Sequence, residues 1–222
     1  DNHRWIENDR YGNTNNGLQE RGTFKIEELA DRIVVTTSRD GSLCKTDIVY
    51  TLYPQGVMDV DATFTPKHGE LRRAGLVCHI DSALKQVDYY GLGPWENYSD
   101  RKAGVIAGRY TSKVGEMHER YVKPQSTGQR EELRELVLTD ATGFGIVIET
   151  EGNVSFSALP WTDADLMKSN HLWEMQNRPY TVLHFDAYHR GVGNASCGGV
   201  DTIEKYKVPN KKMNYKLRIS VK

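Results

Sequence analysis

Hydrophobic alternation with a period of two limits most strongly what this chain can fold into. In Met58-Asp59-Val60-Asp61-Ala62-Thr63-Phe64-Thr65, Met58, Val60, Ala62 and Phe64 fall on one side, and Asp59, Asp61, Thr63 and Thr65 on the other. Successive side chains of an extended backbone point to opposite faces, so this pattern specifies a strand with one dry face and one wet face. The same reading fits Ile48, Tyr50 and Leu52 ahead of the turn Pro54-Gln55-Gly56, and Val154, Phe156 and Ala158. At the end of the chain, Tyr215, Leu217, Ile219 and Val221 alternate with Lys216, Arg218, Ser220 and Lys222. Further apolar runs at 33–37, 76–80, 105–110, 133–139, 145–149 and 181–187 bring the total to about a dozen short strands parted by Gly, Asn, Asp and Pro. The layout is all-β, a sandwich with one short helix. Thr162 can cap that helix, with Asp163 and Asp165 near its positive end and Leu166 and Met167 supplying apolar contacts.

A chain of 222 residues fits one large domain or two small ones. No linker, repeat or low-complexity tract divides it. Residues 1–22, rich in Asn, Arg and Gly, read as an irregular arm, and 23–222 as a single β-sandwich domain. Lys and Arg total 29 against 30 Asp and Glu, a net charge of -1, which gives no electrostatic footprint for nucleic acid or an anionic membrane. Neither is expected as a partner. No apolar run approaches the roughly 18 residues of a bilayer span, and the opening Asp1-Asn2-His3-Arg4 is not a secretory leader. A soluble protein of cytoplasm or periplasm is expected. Cys44, Cys78 and Cys197 are odd in number, widely spaced and without a CxxC pair, so free thiols are expected rather than a zinc site. No metal or cofactor is expected in this chain. Asn97-Tyr98-Ser99, Asn153-Val154-Ser155 and Asn194-Ala195-Ser196 match the glycosylation triplet, which carries meaning only in a eukaryotic secretory route.

Four places could carry chemistry. Tyr89 to Arg101 crowds glycines, aromatics, an amide and carboxylates into what reads as a loop. Such side chains suit a sugar, whose C–H faces stack on rings and whose hydroxyls bond to amides and carboxylates. The architectural reading is stronger: Gly91, Gly93 and Pro94 fix the backbone, so that Glu96, Asn97, Asp100 and Arg101 satisfy backbone groups and one another. His184, Asp186 and Tyr188 would share a strand face, with His189 just beyond, as a hydrogen-bonded cluster rather than metal ligands. His171 and Glu174, three apart, could form an acid/base pair or a structural one. Gly191 to Gly199 is too glycine-rich to be filler, yet no helix follows it to cradle a phosphate, which leaves a loop presenting a few side chains.

These segments also carry a resemblance. Tyr90-Gly91-Leu92-Gly93-Pro94, followed by Glu96-Asn97-Tyr98 and Asp100-Arg101, resembles the G-x-G-P-x-E-N-Y-x-D-R signature of the C-terminal small-chain domain of lac-type β-galactosidases, glycoside hydrolase family 2. The likeness continues through Arg73 and Gly75, Tyr121-Val122-Lys123-Pro124-Gln125, Gly128, Arg130, Phe156-Ser157-Ala158, Leu166, His171, Glu174, Asp186, Gly191-Val192-Gly193 and Cys197-Gly198. The resemblance implies an antiparallel β-supersandwich of the galactose-mutarotase-like class. It also implies that the catalytic glutamates and the Mg and Na sites belong to an upstream (β/α)8 barrel, the expected partner within one polypeptide. Retaining hydrolysis needs two carboxyl groups about 5 Å apart, and a chain with no room for the barrel is expected to be inactive alone. The loop of Asn194, Ser196 and Cys197 corresponds to one that offers the aglycone sugar a tryptophan platform, and a thiol has no flat face to stack. The function expected is therefore a non-catalytic β-galactosidase domain shaping the aglycone side, with a β-galactoside or oligosaccharide as substrate of the whole. The alternatives are an independent carbohydrate-binding or mutarotase-like protein, with His171, Glu174 and Asp186 as sugar contacts, and a structural domain holding subunits of a homo-oligomer together.

Overall fold

The computed structural model describes residues 22–41, 43–67, 71–193 and 201–222. The N-terminal arm and Asn194, Ser196 and Cys197 lie outside the described residues. In chain order the strands are β1 (Thr23–Glu28), β2 (Ile33–Asp40), β3 (Cys44–Tyr53), β4 (Val57–Pro66), β5 (Arg73–Asp81), β6 (Gln86–Gly93), β7 (Ile106–Lys113), β8 (Glu135–Thr139), β9 (Gly145–Gly152), β10 (Ser155–Leu159), β11 (Tyr180–His189) and β12 (Met213–Val221). One α-helix, α1 (Asp163–Lys168), lies between β10 and β11. A nine-stranded sheet runs β1-β2-β3-β4-β12-β9-β8-β6-β7, and a three-stranded sheet β10-β11-β5 packs on it. Neighbouring strands pair antiparallel throughout.

Register follows the alternation. β12 inserts between β4 and β9, with Leu217 opposite Val60 on one side and Thr150 on the other. That pairing puts Val60, Ala62 and Phe64 on the same buried face as Met213, Tyr215 and Leu217. Val87, Tyr89, Leu136, Leu138 and Ile148 extend this face, and Phe156, Ala158, Leu183 and Phe185 meet it from the smaller sheet. Burying one such side chain stabilises by about 1.5–3 kcal/mol, so this interleaved layer is the main source of stability. Tyr215 ties the layers directly: its hydroxyl crosses the core and donates to the Phe185 carbonyl at 2.8 Å. The helix is capped as its sequence predicts, with Thr162 accepting from Asp165 N and the Asp165 carboxylate accepting from Thr162 N at 2.9 Å. Leu166 then packs with Leu159 and Trp161 in a small separate cluster.

Three local readings change. Gly91 and Gly93 are strand residues of β6, not loop residues, and their lack of a side chain serves close approach. A Cβ on Gly93 would lie 2.3 Å from the Tyr89 hydroxyl and 2.7 Å from the Tyr110 ring. β10 is buried along its whole length, so Ser155 and Ser157 do not face water. Gln129 donates to Ser155 Oγ at 2.7 Å, satisfying a polar position that alternation alone assigns to solvent. A register irregularity between Asp186 and Tyr188 breaks the common face expected for His184, Asp186 and Tyr188.

Candidate functional site

The segment after β6 is held by two buried hubs. Asn97, fully enclosed, donates through Nδ2 to the carbonyls of Leu92 at 3.1 Å and Trp95 at 2.9 Å, while its Oδ1 accepts from Glu131 N at 2.8 Å. Its amide is therefore unavailable as a glycosylation acceptor. Glu96, also buried, accepts from Thr127 Oγ1 at 2.9 Å, Gly128 N at 2.7 Å, the Tyr121 hydroxyl and the Arg101 guanidinium. Burial and the Glu96 carboxylate push the Tyr121 phenol up to about 12, so it stays a donor. Arg101 reaches outward from this hub and crosses the Tyr98 ring at 5.3 Å. Gly93 and Pro94 are joined by a cis peptide bond.

Asp100 faces a different partner: the start of the glycine-rich loop after β11. Its carboxylate accepts from Val192 N at 3.2 Å and Gly193 N at 2.9 Å. A Cβ on Gly191 would come within 2.6 Å of the Asp100 carboxyl carbon, so this approach requires glycine. The loop's far end is tied as well. Arg190 donates to Thr202 Oγ1 at 2.8 Å and pairs with Asp201, which Lys207 also meets at 2.9 Å. Gly191 N donates to the Tyr206 carbonyl at 3.0 Å, and Ser99 Oγ to the His189 carbonyl at 3.3 Å. Two glycine-rich segments far apart in sequence thus meet, and the described residues on either side of 194–200 are held by side-chain hydrogen bonds and ion pairs.

Behind them lies a buried charged layer. Asp186, 1 % exposed, holds Arg73 with both oxygens, at 3.1 and 2.5 Å, and Asp163 approaches the same guanidinium at 3.6 Å. A carboxylate so enclosed is taken up by Arg73, whose guanidinium it holds in place. His184 stands 3.7 Å from Asp163, and burial together with Arg73 holds its pKa below the usual histidine value. His171 and Glu174 do meet, at 2.9 Å, on an exposed 3-10 turn spanning Leu172–Glu174 rather than on an α-helix. The His171 hydrogen bond lowers the Glu174 pKa, which favours the carboxylate and disfavours use as a general acid. Trp173, passed over in the sequence, stands 80 % exposed and stacks on His171 at 5.3 Å. Among the described residues no group of three or more His, Cys, Asp and Glu side chains could hold a metal ion, and Cys44 and Cys78 are free thiols. No helix among them is long and apolar enough to cross a membrane.

The site is thus a framework: carboxylates occupied by Arg and backbone partners, next to the residues that flank 194–200. Residues 1–219 match the family model described as "Beta galactosidase small chain". A β-galactosidase of Halalkalibacterium halodurans is 31 % identical over 163 residues, covering 71 % of this chain and 16 % of that protein. β-Galactosidase 2 of Enterobacter cloacae is 28 % identical over 198 residues, covering 86 % of this chain and 19 % of that protein. The chain therefore spans less than a fifth of these relatives. Among solved structures, a galactose 1-epimerase from Lactobacillus acidophilus superimposes with a TM-score of 0.53 at 7 % identity, covering 90 % of this chain and 66 % of that one, a likeness of fold.

Proposed function

This chain belongs to the β-galactosidase small chain family, and on that premise we propose that it is the non-catalytic part of a β-galactosidase, shaping the aglycone side of an active site whose catalytic carboxylates lie in the rest of that enzyme. The observation that carries the reading is the double fastening of the segment after β11, by Asp100 at Val192 and Gly193 and by Arg190 at Asp201 and Thr202. A short segment whose flanks are held by such side-chain contacts is suited to presenting side chains to a site formed with another part of the protein. The carboxylates of the buried layer support the same division of labour. Asp163 and Asp186 converge on Arg73 and Glu96 on Arg101, whereas retaining hydrolysis needs two carboxyl groups about 5 Å apart across a sugar bond.

At Cys197 the small thiol leaves a more open aglycone subsite than an aromatic platform would. Comparing lactose with an aryl galactoside in the β-galactosidase that carries this chain, before and after Cys197→Trp, tests this. The substitution is expected to raise kcat/KM for lactose relative to the aryl substrate. An unchanged ratio in a folded enzyme removes Cys197 from the aglycone site.

The exposed His171–Glu174 pair favours a second reading, an independent sugar-binding or mutarotase-like protein. Polarimetry of freshly dissolved α-D-galactose with this chain separates the two, since acceleration abolished by Glu174→Gln would select the second.

A further inference from the structure

The smaller sheet covers only part of the larger one. At one side Phe156 of β10 meets the Tyr89 ring of β6 at 5.2 Å. At the other, burial and then the nearby Cys78 thiol of β5 push up the phenol pKa of Tyr50 on β3, which places the β5 edge beside β3. β2 and β1 extend past that edge, and the side they show there is the core side. Register sets Ile26 in a row with Val35, Tyr50 and Val60, and exposure rises along it from 3 % at Val60, through half-buried Tyr50 and Val35, to 54 % at Ile26. The next row runs from buried Ala62 and Ile48 through half-buried Thr37 to Phe24, 72 % exposed. Ile33 and Leu52 pair across β2 and β3 and are exposed as well. Contiguous exposed apolar surface of this kind marks an interaction site.

β5 supplies an independent observation. It pairs with β11 and, among the described residues, with no strand on its other edge. Sheet edges are ordinarily protected by charge, proline or cover. The outer strands of the large sheet carry such charge, Lys25, Glu27 and Glu28 on β1 and Arg109 and Lys113 on β7. β10 is covered, since Arg130 and Phe156 exchange backbone hydrogen bonds at 2.8 and 2.9 Å. The middle of β5, from Gly75 to Cys78, has neither charge nor proline, and Val77 and Cys78 are exposed.

We propose that a segment of the same β-galactosidase polypeptide, outside this chain, adds a β-strand to the open edge of β5 and lays its apolar side on Phe24, Ile26, Ile33 and Leu52. The chain spans less than a fifth of its β-galactosidase relatives, and the epimerase that shares its fold continues beyond the part that superimposes, so both have polypeptide that this chain lacks. Residues 1–21 lack the pattern the role needs: their large apolar residues are Trp5, Ile6, Tyr11 and Leu18, no two of them two apart. Two strand spacings, about 10 Å, separate β3 from β1, which is room for a hairpin. The proposal rests on the chain being part of a larger β-galactosidase and not on the aglycone reading, which lactose preference tests separately.

The experiment is amide hydrogen exchange, read by mass spectrometry on this chain alone and on the whole β-galactosidase that carries it. Peptides covering 76–80 and 23–28 are expected to exchange at least about tenfold more slowly in the whole enzyme, as the outward amides of β5 gain partners and β1 gains cover. The double substitution Phe24→Thr and Ile26→Thr keeps strand formers in place and removes the apolar contact. It is expected to leave the urea midpoint of the isolated chain within about 0.2 M of wild type and to abolish most of the added protection in the whole enzyme. Equal exchange of 76–80 in the chain and in the whole enzyme would overturn the proposal, as would full protection in the double variant. Protection in the isolated chain that grows with its concentration, together with sedimentation as a dimer, would overturn it by giving the face to a second copy. Protection in the whole enzyme that vanishes when its subunits are separated by dilution would overturn it by giving the face to another subunit.

Discussion

Replacing Asn97 by alanine isolates what the loop after β6 contributes to the fold. The side chain is fully enclosed and makes three hydrogen bonds, all to backbone: to Leu92 O, Trp95 O and Glu131 N. Truncation leaves Leu92 O and Glu131 N unpaired in the interior, at about 1–2 kcal/mol each. The Trp95 carbonyl belongs to a residue that is 66 % exposed, and water recovers part of that loss. The sum is about 3 kcal/mol, a large fraction of the 5–15 kcal/mol that holds a typical domain. With a urea slope of about 2–3 kcal/mol/M for a chain of this size, the unfolding midpoint should fall by about 1 M. Tryptophan fluorescence of this chain in a urea series measures it. Asn97→Asp separates donation from volume, since a carboxylate of the same shape cannot donate to the two carbonyls and should be destabilising too. A midpoint for Asn97→Ala within about 0.2 M of wild type, with unchanged slope, would refute the reasoning and show that water reaches these groups.

Arg101→Ala should cost less, about 1 kcal/mol in the same urea series, because Glu96 keeps its Thr127, Gly128 and Tyr121 donors and the arginine side chain is 45 % exposed. A loss as large as that of Asn97→Ala would mean that the pair is effectively buried. Stability should also fall on mild acidification. The His189 pKa is pushed down to about 4 from 6.5, so between those values the unfolded chain binds more protons than the folded one. Its contribution is fully present above pH 6.5 and is lost as pH falls toward 4, roughly 3 kcal/mol in all, with His184 acting in the same direction. Urea midpoints between pH 7 and pH 4 for wild type and His189→Gln measure it. An equally steep dependence in the variant would locate the effect elsewhere.

Strand positions were legible because they rest on local alternation: Val60, Ala62 and Phe64 show the same face in the sequence and in the core. The edge strand β1 was not, since Thr23–Glu28 is exposed along its length and buries no apolar stripe to mark it. Gly91 and Gly93 read as loop formers because sequence cannot tell a glycine needed for a turn from one needed for the approach of Tyr89 and Tyr110. The same limit applies to the site. That Glu96, Asn97 and Asp100 would satisfy backbone groups followed from their residue types, but the backbone N–H groups that meet them lie 32 to 93 positions away, as with Gly128 and Gly193. Asp186 shows a further limit: a carboxylate on an apolar strand is equally compatible with a ligand contact and with a buried arginine, and nothing local in the sequence marks Arg73, at the start of β5, as its partner.

Release of a chromogenic aglycone from a β-galactoside by this chain, purified by itself, tests most directly the claim that it supports an active site without supplying the catalytic pair. The account predicts a rate indistinguishable from buffer across pH 5–8, the range in which carboxylate acid/base pairs operate. Release that rises in proportion to chain concentration, co-elutes with the chain through successive columns and disappears on substitution of Glu174 or Asp163 would contradict it.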